Sequence, residues 1–319
     1  MTIGSHLEEL RGLPVFEFPE PGSTVPLPEP ESVAWRISGP TYRDGDEEDW
    51  PEVFDRFLAA VDTRRVRSLV VGGWEDAYET DSAPIVARLI AANNRLTALE
   101  SVFLGDMTFE DCEISWIQQS DVTPLLAAYP GLRSFGVRGG SNLAFPPVRH
   151  AALEQLVVEA GGLGADVVRG IAGSELPALT DLELWLGTDE YGADSVPGDL
   201  APLLAGTHVP ALRRLALRNS VIQDEIAEAV SGAPVVARLE HLDLSMGTLS
   251  DFGAVALLGG QPLTHLASLD LSHHYLSEEM RERIVAELAP HGVRVLTDEP
   301  QQEEDWGDGD MHRYVSVGE

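Results

Sequence analysis

LEHLDLSM, residues 239–246, and LASLDLSH, residues 266–273, decide how this chain is read. Leu239, Leu242 and Leu244 return 27 residues later as Leu266, Leu269 and Leu271, in the spacing L-x-x-L-x-L. The same spacing occurs at Val66/Leu69/Val71, Leu99/Val102/Leu104, Leu132/Phe135/Val137, Leu153/Leu156/Val158, Leu179/Leu182/Leu184 and Leu212/Leu215/Leu217, and Val293/Leu296 begins a last partial copy. Prolines 130, 177, 210, 234, 262 and 290 stand just ahead of these starts. Proline stops a helix and biases the residue before it toward extended backbone, so each return path ends there and the chain re-enters a strand. Self-similarity at such a period predicts a stack of strand-and-return units rather than separate globular cores.

Unit starts at 66, 99, 132, 153, 179, 212, 239, 266 and 293 are spaced by 33, 33, 21, 26, 33, 27, 27 and 27 residues. Ser82-Ala-Pro84, Thr123-Pro124 and the run Asp224 to Val230 carry helix signatures, since a hydroxyl can accept an orphan N–H and proline at the first turn sacrifices no bond. The 21-residue unit returns through SNLAFPPVRHA, too short and too proline-rich for a helix, which predicts an extended path. Upstream, VAWRI (33–37) reads as a zeroth strand and WPEVFDRFLAAV (50–61) as an amphipathic helix with Val53, Phe54, Phe57, Leu58 and Val61 on one stripe. Leu7, Leu10, Leu13, Val15, Phe16 and Phe18 are expected to cap the open end of the core, and five prolines in residues 19–31 favour an extended surface segment. The expected organisation is an N-terminal cap over 1–61, repeats over 62–297 and an acidic tail over 298–319. Within that tail, 298–310 is expected to be disordered and 311–319 either a frayed end or a short docking strand.

The units resemble leucine-rich repeats of the longer, helix-bearing, ribonuclease-inhibitor-like kind. The resemblance rests on LDLS at 242–245 and 269–272 and on the following apolar positions Phe109, Leu163, Ile222, Leu249 and Leu276. It implies an α/β leucine-rich-repeat solenoid, a horseshoe with a parallel concave sheet and helices or extended returns on the convex side. Where that pattern places a buried Asn or Cys, this chain has Trp74, Met107, Gly140, Gly161, Gly187, Ser220, Gly247 and His274, so its turns must satisfy their backbone differently. The opening HLEELRGLPVFEF and the ending RYVSVGE are also similar to an uncharacterised bacterial family of cytoplasmic leucine-rich-repeat proteins.

Net charge is −32, from 53 acidic and 21 basic residues. That excess repels nucleic-acid phosphates and anionic membranes. Every basic residue is Arg, so a Walker-A lysine, a Schiff-base lysine and pyridoxal chemistry are excluded. A single cysteine, Cys112, forms no internal disulfide and fits a reducing, cytoplasmic setting. The start carries no signal-peptide pattern and no apolar run reaches membrane-spanning length. The acidic run at 44–49 fails as a calcium loop, with Asp49 where glycine is needed and Asp55 where a bidentate Glu is needed. Nucleophile-elbow, zincin and paired-cysteine motifs are absent.

In L-x-x-L-x-L the fourth and sixth positions point into the core, so the third, fifth and seventh face the other side of the sheet. Column three reads Ser68, Ser101, Ser134, Gln155, Asp181, Arg214, His241, Ser268. Column five reads Val70, Phe103, Gly136, Val157, Glu183, Ala216, Asp243, Asp270, and column seven Gly72, Gly105, Arg138, Glu159, Trp185, Arg218, Ser245, Ser272. The candidate partner-binding patch is Trp185, Arg218, Arg214, Asp181, Glu183, Asp243, Asp270 and His241, because Trp and Arg dominate interface hot spots. The competing reading is internal pairing, Asp181 with Arg214 and Arg218 over Trp185. The expected function is a non-catalytic, monomeric protein-binding scaffold without cofactor or metal, facing a protein partner with a basic surface. The alternative is a metal-dependent enzyme or small-molecule sensor on Asp243, Asp270 and His241, or an accessory subunit of an enzyme.

Overall fold

The computed structural model describes residues 3–42, 47–305, 307 and 311–319. Twelve strands form one sheet in chain order: β1 (Glu9–Leu10), β2 (Leu13–Glu17), β3 (Ala34–Ile37), β4 (Ser68–Val71), β5 (Ser101–Leu104), β6 (Ser134–Arg138), β7 (Gln155–Glu159), β8 (Asp181–Gly187), β9 (Arg214–Ser220), β10 (His241–Asp243), β11 (Ser268–Asp270) and β12 (Arg294–Leu296). β1 and β2 pair antiparallel as a hairpin, and every later neighbour pairs parallel. The chain is an α/β fold on a long, mostly parallel sheet that does not close on itself.

The register follows the hydrophobic spacing. Ser68, Ser101, Ser134, Gln155, Asp181, Arg214, His241 and Ser268 stand side by side, as do Val70, Phe103, Gly136, Val157, Glu183, Ala216, Asp243 and Asp270. Positions four and six, such as Leu182, Leu184, Leu215 and Leu217, are sealed in one continuous core shared with the helices. Each such side chain contributes about 2 kcal/mol by leaving water.

The returns carry α1 (Trp50–Ala60), α2 (Ala83–Ala91), α3 (Thr123–Ala128), α4 (Ala165–Ala172), α5 (Ala201–Ala205), α6 (Gln223–Ser231), α7 (Asp251–Gly259) and α8 (Glu278–Leu288). Neither Ser82 nor Thr123 caps its helix as expected. An aspartate does so instead: Asp81 accepts from Ala83 N at 2.9 Å, and Asp121 from Thr123 N at 3.0 Å. Ser82 turns toward the Ser120 hydroxyl, 2.9 Å away. The acidic run lies outside the described residues at 44–46, while Asp49 accepts from Glu52 N at 2.9 Å and so ends that run as a helix cap.

The 21-residue unit returns without a helix, through isolated bridges such as Asp121 to Ala144 and Arg149 to Glu175. α4 therefore packs directly on its backbone. A Cβ on Gly170 would lie 1.7 Å from the carbonyl oxygen of Phe145.

The N-terminal apolar cluster divides between two faces. Phe16 and Phe18 set their ring edges against Trp35 at 5.5 and 6.2 Å and close the end of the main core. Leu7, Leu10, Leu13 and Val15 instead cover Ala34, Val70 and Phe103 on the opposite, open face. Among the described tail residues, Glu304–Asp305 pairs antiparallel with Met311–His312, and His274 bridges Pro300, so the expectation of disorder fails there; residues 306 and 308–310 lie outside the description.

Among the described residues no buried Asn ladder runs along the turns. Residues at or just beyond the C-terminal ends of the strands adopt left-handed backbone, at Gly105, Gly139, Gly187, Asn219, Met246 and His273. Fully buried His274 completes the last turn, its Nδ1 accepting from Leu276 N at 3.0 Å and its Nε2 meeting Thr297 O at 3.2 Å. Among the described residues no helix is long and apolar enough to cross a membrane.

In an open helix interior, Gly→Ala stabilises by about 1 kcal/mol. At Gly170 the added methyl meets backbone, and Gly170→Ala is expected to cost about 1–3 kcal/mol in chemical denaturation. A stabilised variant would show that α4 does not rest on the short return.

Candidate functional site

The open face of the sheet holds two charge networks. The first was not singled out in the sequence. Arg36 on β3 reaches Asp106 Oδ2 at 2.8 Å through Nη1 and the Asp106 carbonyl at 2.8 Å through Nη2, while its Nε meets Glu17 at 3.0 Å. Arg138 at the end of β6 reaches the other Asp106 oxygen at 3.2 Å, donates to Met107 O at 2.7 Å and pairs with Glu159 at 2.7 Å. Asp106 is wholly buried, and Leu7 N adds a bond to it at 3.1 Å. The signal for this network was present: Arg138 and Glu159 are neighbours in column seven. Arg36 and Asp106 stand outside the three columns, upstream of the first repeat and one residue past Gly105.

The second network gathers most of the candidate patch. Glu183 on β8 accepts from Arg218 Nη1 at 2.7 Å, Arg214 Nη1 at 2.9 Å and Trp185 Nε1 at 2.9 Å. Asp243 on β10 lies 3.6 Å from Arg214 Nη2 and 3.4 Å from Arg218 Nε, and takes the Ser245 hydroxyl at 2.6 Å. The Asp181–Arg214 pair of the competing reading does not form. Asp181 takes the Thr180 hydroxyl at 2.6 Å, and Arg214 turns to Glu183 because that carboxylate projects between both arginines. The expected stacking of Arg218 on Trp185 is present, with the guanidinium carbon 5.7 Å from the ring centroid.

Trp185 is not the exposed anchor that the column reading suggests. Only 9 % of it is exposed, because Ile3 and Val317 from the two ends of the described chain close over it together with Ile114 and Met246. A cavity of about 510 Å³ lies where these end segments meet the sheet, lined in part by Leu7, Arg138, Arg218, Ser272 and Val317.

His241, Asp243 and Asp270 stand on adjacent strands without converging on a common point. His241 Nδ1 meets the Ser268 hydroxyl at 2.8 Å, Asp270 takes Ser272 N at 2.9 Å, and Asp243 is held by the arginines. Among the described residues no group of three or more His, Cys, Asp or Glu could hold a metal ion. Cys112 carries no activated thiol, since burial, Glu113 and Asp111 push it up to about 11.

Burial sets the remaining titrations. It raises the Glu159 carboxyl above its ordinary range despite Arg138, and raises Asp243 despite Arg218. Burial also opposes ionisation of Glu183, but Arg218, the Trp185 N–H and Arg214 outweigh it, and Glu183 sits below the usual range.

The protein is an α/β chain that contributes one strand per unit to a mostly parallel sheet and pairs charges on the sheet's open face. The chain is similar in fold to a solved structure of a protein from Bacteroides fragilis, with a TM-score of 0.73 and 29 % identity over 78 % of this chain and 70 % of that one. No protein-family profile matches the chain. No curated protein matches it either.

Removing Glu183 leaves two arginines facing each other with only Asp243 between them. Glu183→Ala is expected to destabilise by about 3 kcal/mol, measured by urea denaturation; a change under about 0.5 kcal/mol, the level of an exposed pair, would contradict the network. Glu159 behaves oppositely. A carboxyl raised in the folded state favours folding when protonated and loses that contribution as pH rises through its folded pKa. Glu159→Gln should therefore raise the melting temperature at pH 7, and the gain should vanish below about pH 4, under the unfolded carboxyl pKa.

Proposed function

We propose that the chain is a leucine-rich-repeat solenoid of the helix-bearing, ribonuclease-inhibitor-like kind, and that it serves as a non-catalytic scaffold binding a protein partner on its concave sheet. The regular column register and the helical returns support that architecture. The inner sheet of a solenoid is its usual binding surface.

One observation carries the binding reading. Asp181, Arg214, His241, Ser268 and Asp270 stand half-buried in adjoining columns, whereas the equivalent Ser68, Ser101 and Ser134 are buried. The chain covers the first part of the face with its own residues and leaves polar side chains accessible on the second. Trp185 and Glu183 then support the arginines from below. A net charge of −32 favours a partner with a basic surface and speeds association at low salt. On this reading the protein is a monomer in a bacterial cytoplasm.

Among the described residues, Asp181 and Asp270 accept hydrogen bonds from Thr180 and Ser272 and form no direct ion pair with Arg214 or Arg218, so their reversal breaks none of the arginine salt bridges. In Asp181→Arg/Asp270→Arg, cross-links from the open face of β8–β11 to a basic partner in native lysate should fall at least about tenfold, while melting changes little. Unchanged cross-links at that face would refute the assignment.

A further inference from the structure

Residues 314–319 do not hang from the last unit; they run across the C-terminal ends of β11, β10 and β9 and on to the segments that follow β8 and β5. Tyr314 O meets His273 Nε2 and the Tyr275 hydroxyl, each at 3.1 Å. Ser316 N donates to Met246 O at 2.8 Å. Asn219, fully buried and held in left-handed backbone at φ 55°, then grips the main chain of Val317 from both sides. Val317 N donates to Asn219 Oδ1 at 2.9 Å, and Asn219 Nδ2 donates to Val317 O at 2.6 Å. Beyond it the Ser115 hydroxyl donates to Gly318 O and the Tyr191 hydroxyl to the Glu319 carboxylate.

This arrangement holds an extended segment by its main chain and by one side chain separately. A primary amide that both accepts from and donates to one residue reads backbone, whatever that residue's side chain. The side chain is read separately: Val317, 2 % exposed, fills an apolar pocket formed by Ile114, Trp185 and Met246 with Ile3. The groove wall is glycine where the main chain passes closest: a Cβ on Gly161 would fall 1.9 Å from Gly318 O, whereas a Cβ on Gly318 itself would meet nothing nearer than 3.4 Å. The Tyr191 hydroxyl, pushed up to about 12 by its bond to Glu319, remains a donor for an acidic group.

We infer that this groove is a binding site for extended peptides that carry a small β-branched residue with an acidic residue two positions after it, and that residues 314–319 are its resident occupant. The site lies at the ends of the strands and does not depend on a partner for the open face. A tethered occupant competes at an effective concentration in the millimolar range, so an outside peptide gains access only when the resident segment is released.

The test uses the full chain and a fluorescent peptide with the sequence of residues 311–319, followed by anisotropy. Val317→Asp places a carboxylate in the apolar pocket and expels the segment. That variant should bind the labelled peptide at least about tenfold more tightly than the wild-type chain, and Val317→Asp/Asn219→Ala should lose the gain. Ser316→Pro, which deletes the N–H donated to Met246, releases the segment by a second route and carries the same expectation if Val317→Asp does not fold. Absence of binding by folded release variants overturns the inference, as does binding that is equal in all chains or indifferent to Asn219.

Discussion

Register is the constraint on which the rest of this structure depends. Side chains alternate across a strand, so a slip of one residue would exchange Leu242 and Leu244 for His241 and Asp243 and bury charge where the helices need hydrocarbon. Because each unit stacks on its neighbour in the same register, one assignment propagates along the sheet from β3 to β12. The ends need separate solutions, since a parallel ladder leaves an unpaired edge. At the first edge the β1–β2 hairpin supplies it, and Phe16 and Phe18 plug the core behind.

The open face shows what such a sheet does with charge. Arginine is its only strong cation, and the planar guanidinium suits the task because one fork can serve two carboxylates. Arg138 bridges Asp106 and Glu159; Arg218 bridges Glu183 and Asp243. Desolvating these groups costs several kcal/mol per ion, and the fixed geometry returns most of it. The raised Glu159 and Asp243 mark where the return is incomplete, and the lowered Glu183 marks where three donors make it complete.

Spacing alone made the strands legible, because hydrophobic period is a local property that a single sequence displays. The columns through Asp181, Arg214 and His241 could be written out from it, and the paired strands keep them. Partners within those columns were less legible. Asp181 and Arg214 are adjacent in register, yet long side chains choose among diagonal neighbours, and Glu183 offered Arg214 and Arg218 a shared acceptor. Least legible were contacts between segments remote in sequence. Nothing local to Trp185 announces that Ile3 and Val317 cover it, and nothing local to Asn219 announces a partner 98 positions away.

Stacked units ordinarily communicate only with their neighbours, so such proteins can peel from either end one rung at a time. Residues 314–319 change that behaviour, since they touch Tyr275, Met246, Asn219, Tyr191 and Ser115 in turn. A lashing that spans so many rungs ties the loss of the last unit to the loosening of those in the middle. Unzipping from that side thereby becomes a concerted event, and the molecule gains stiffness along its length from a few residues that belong to none of its rungs.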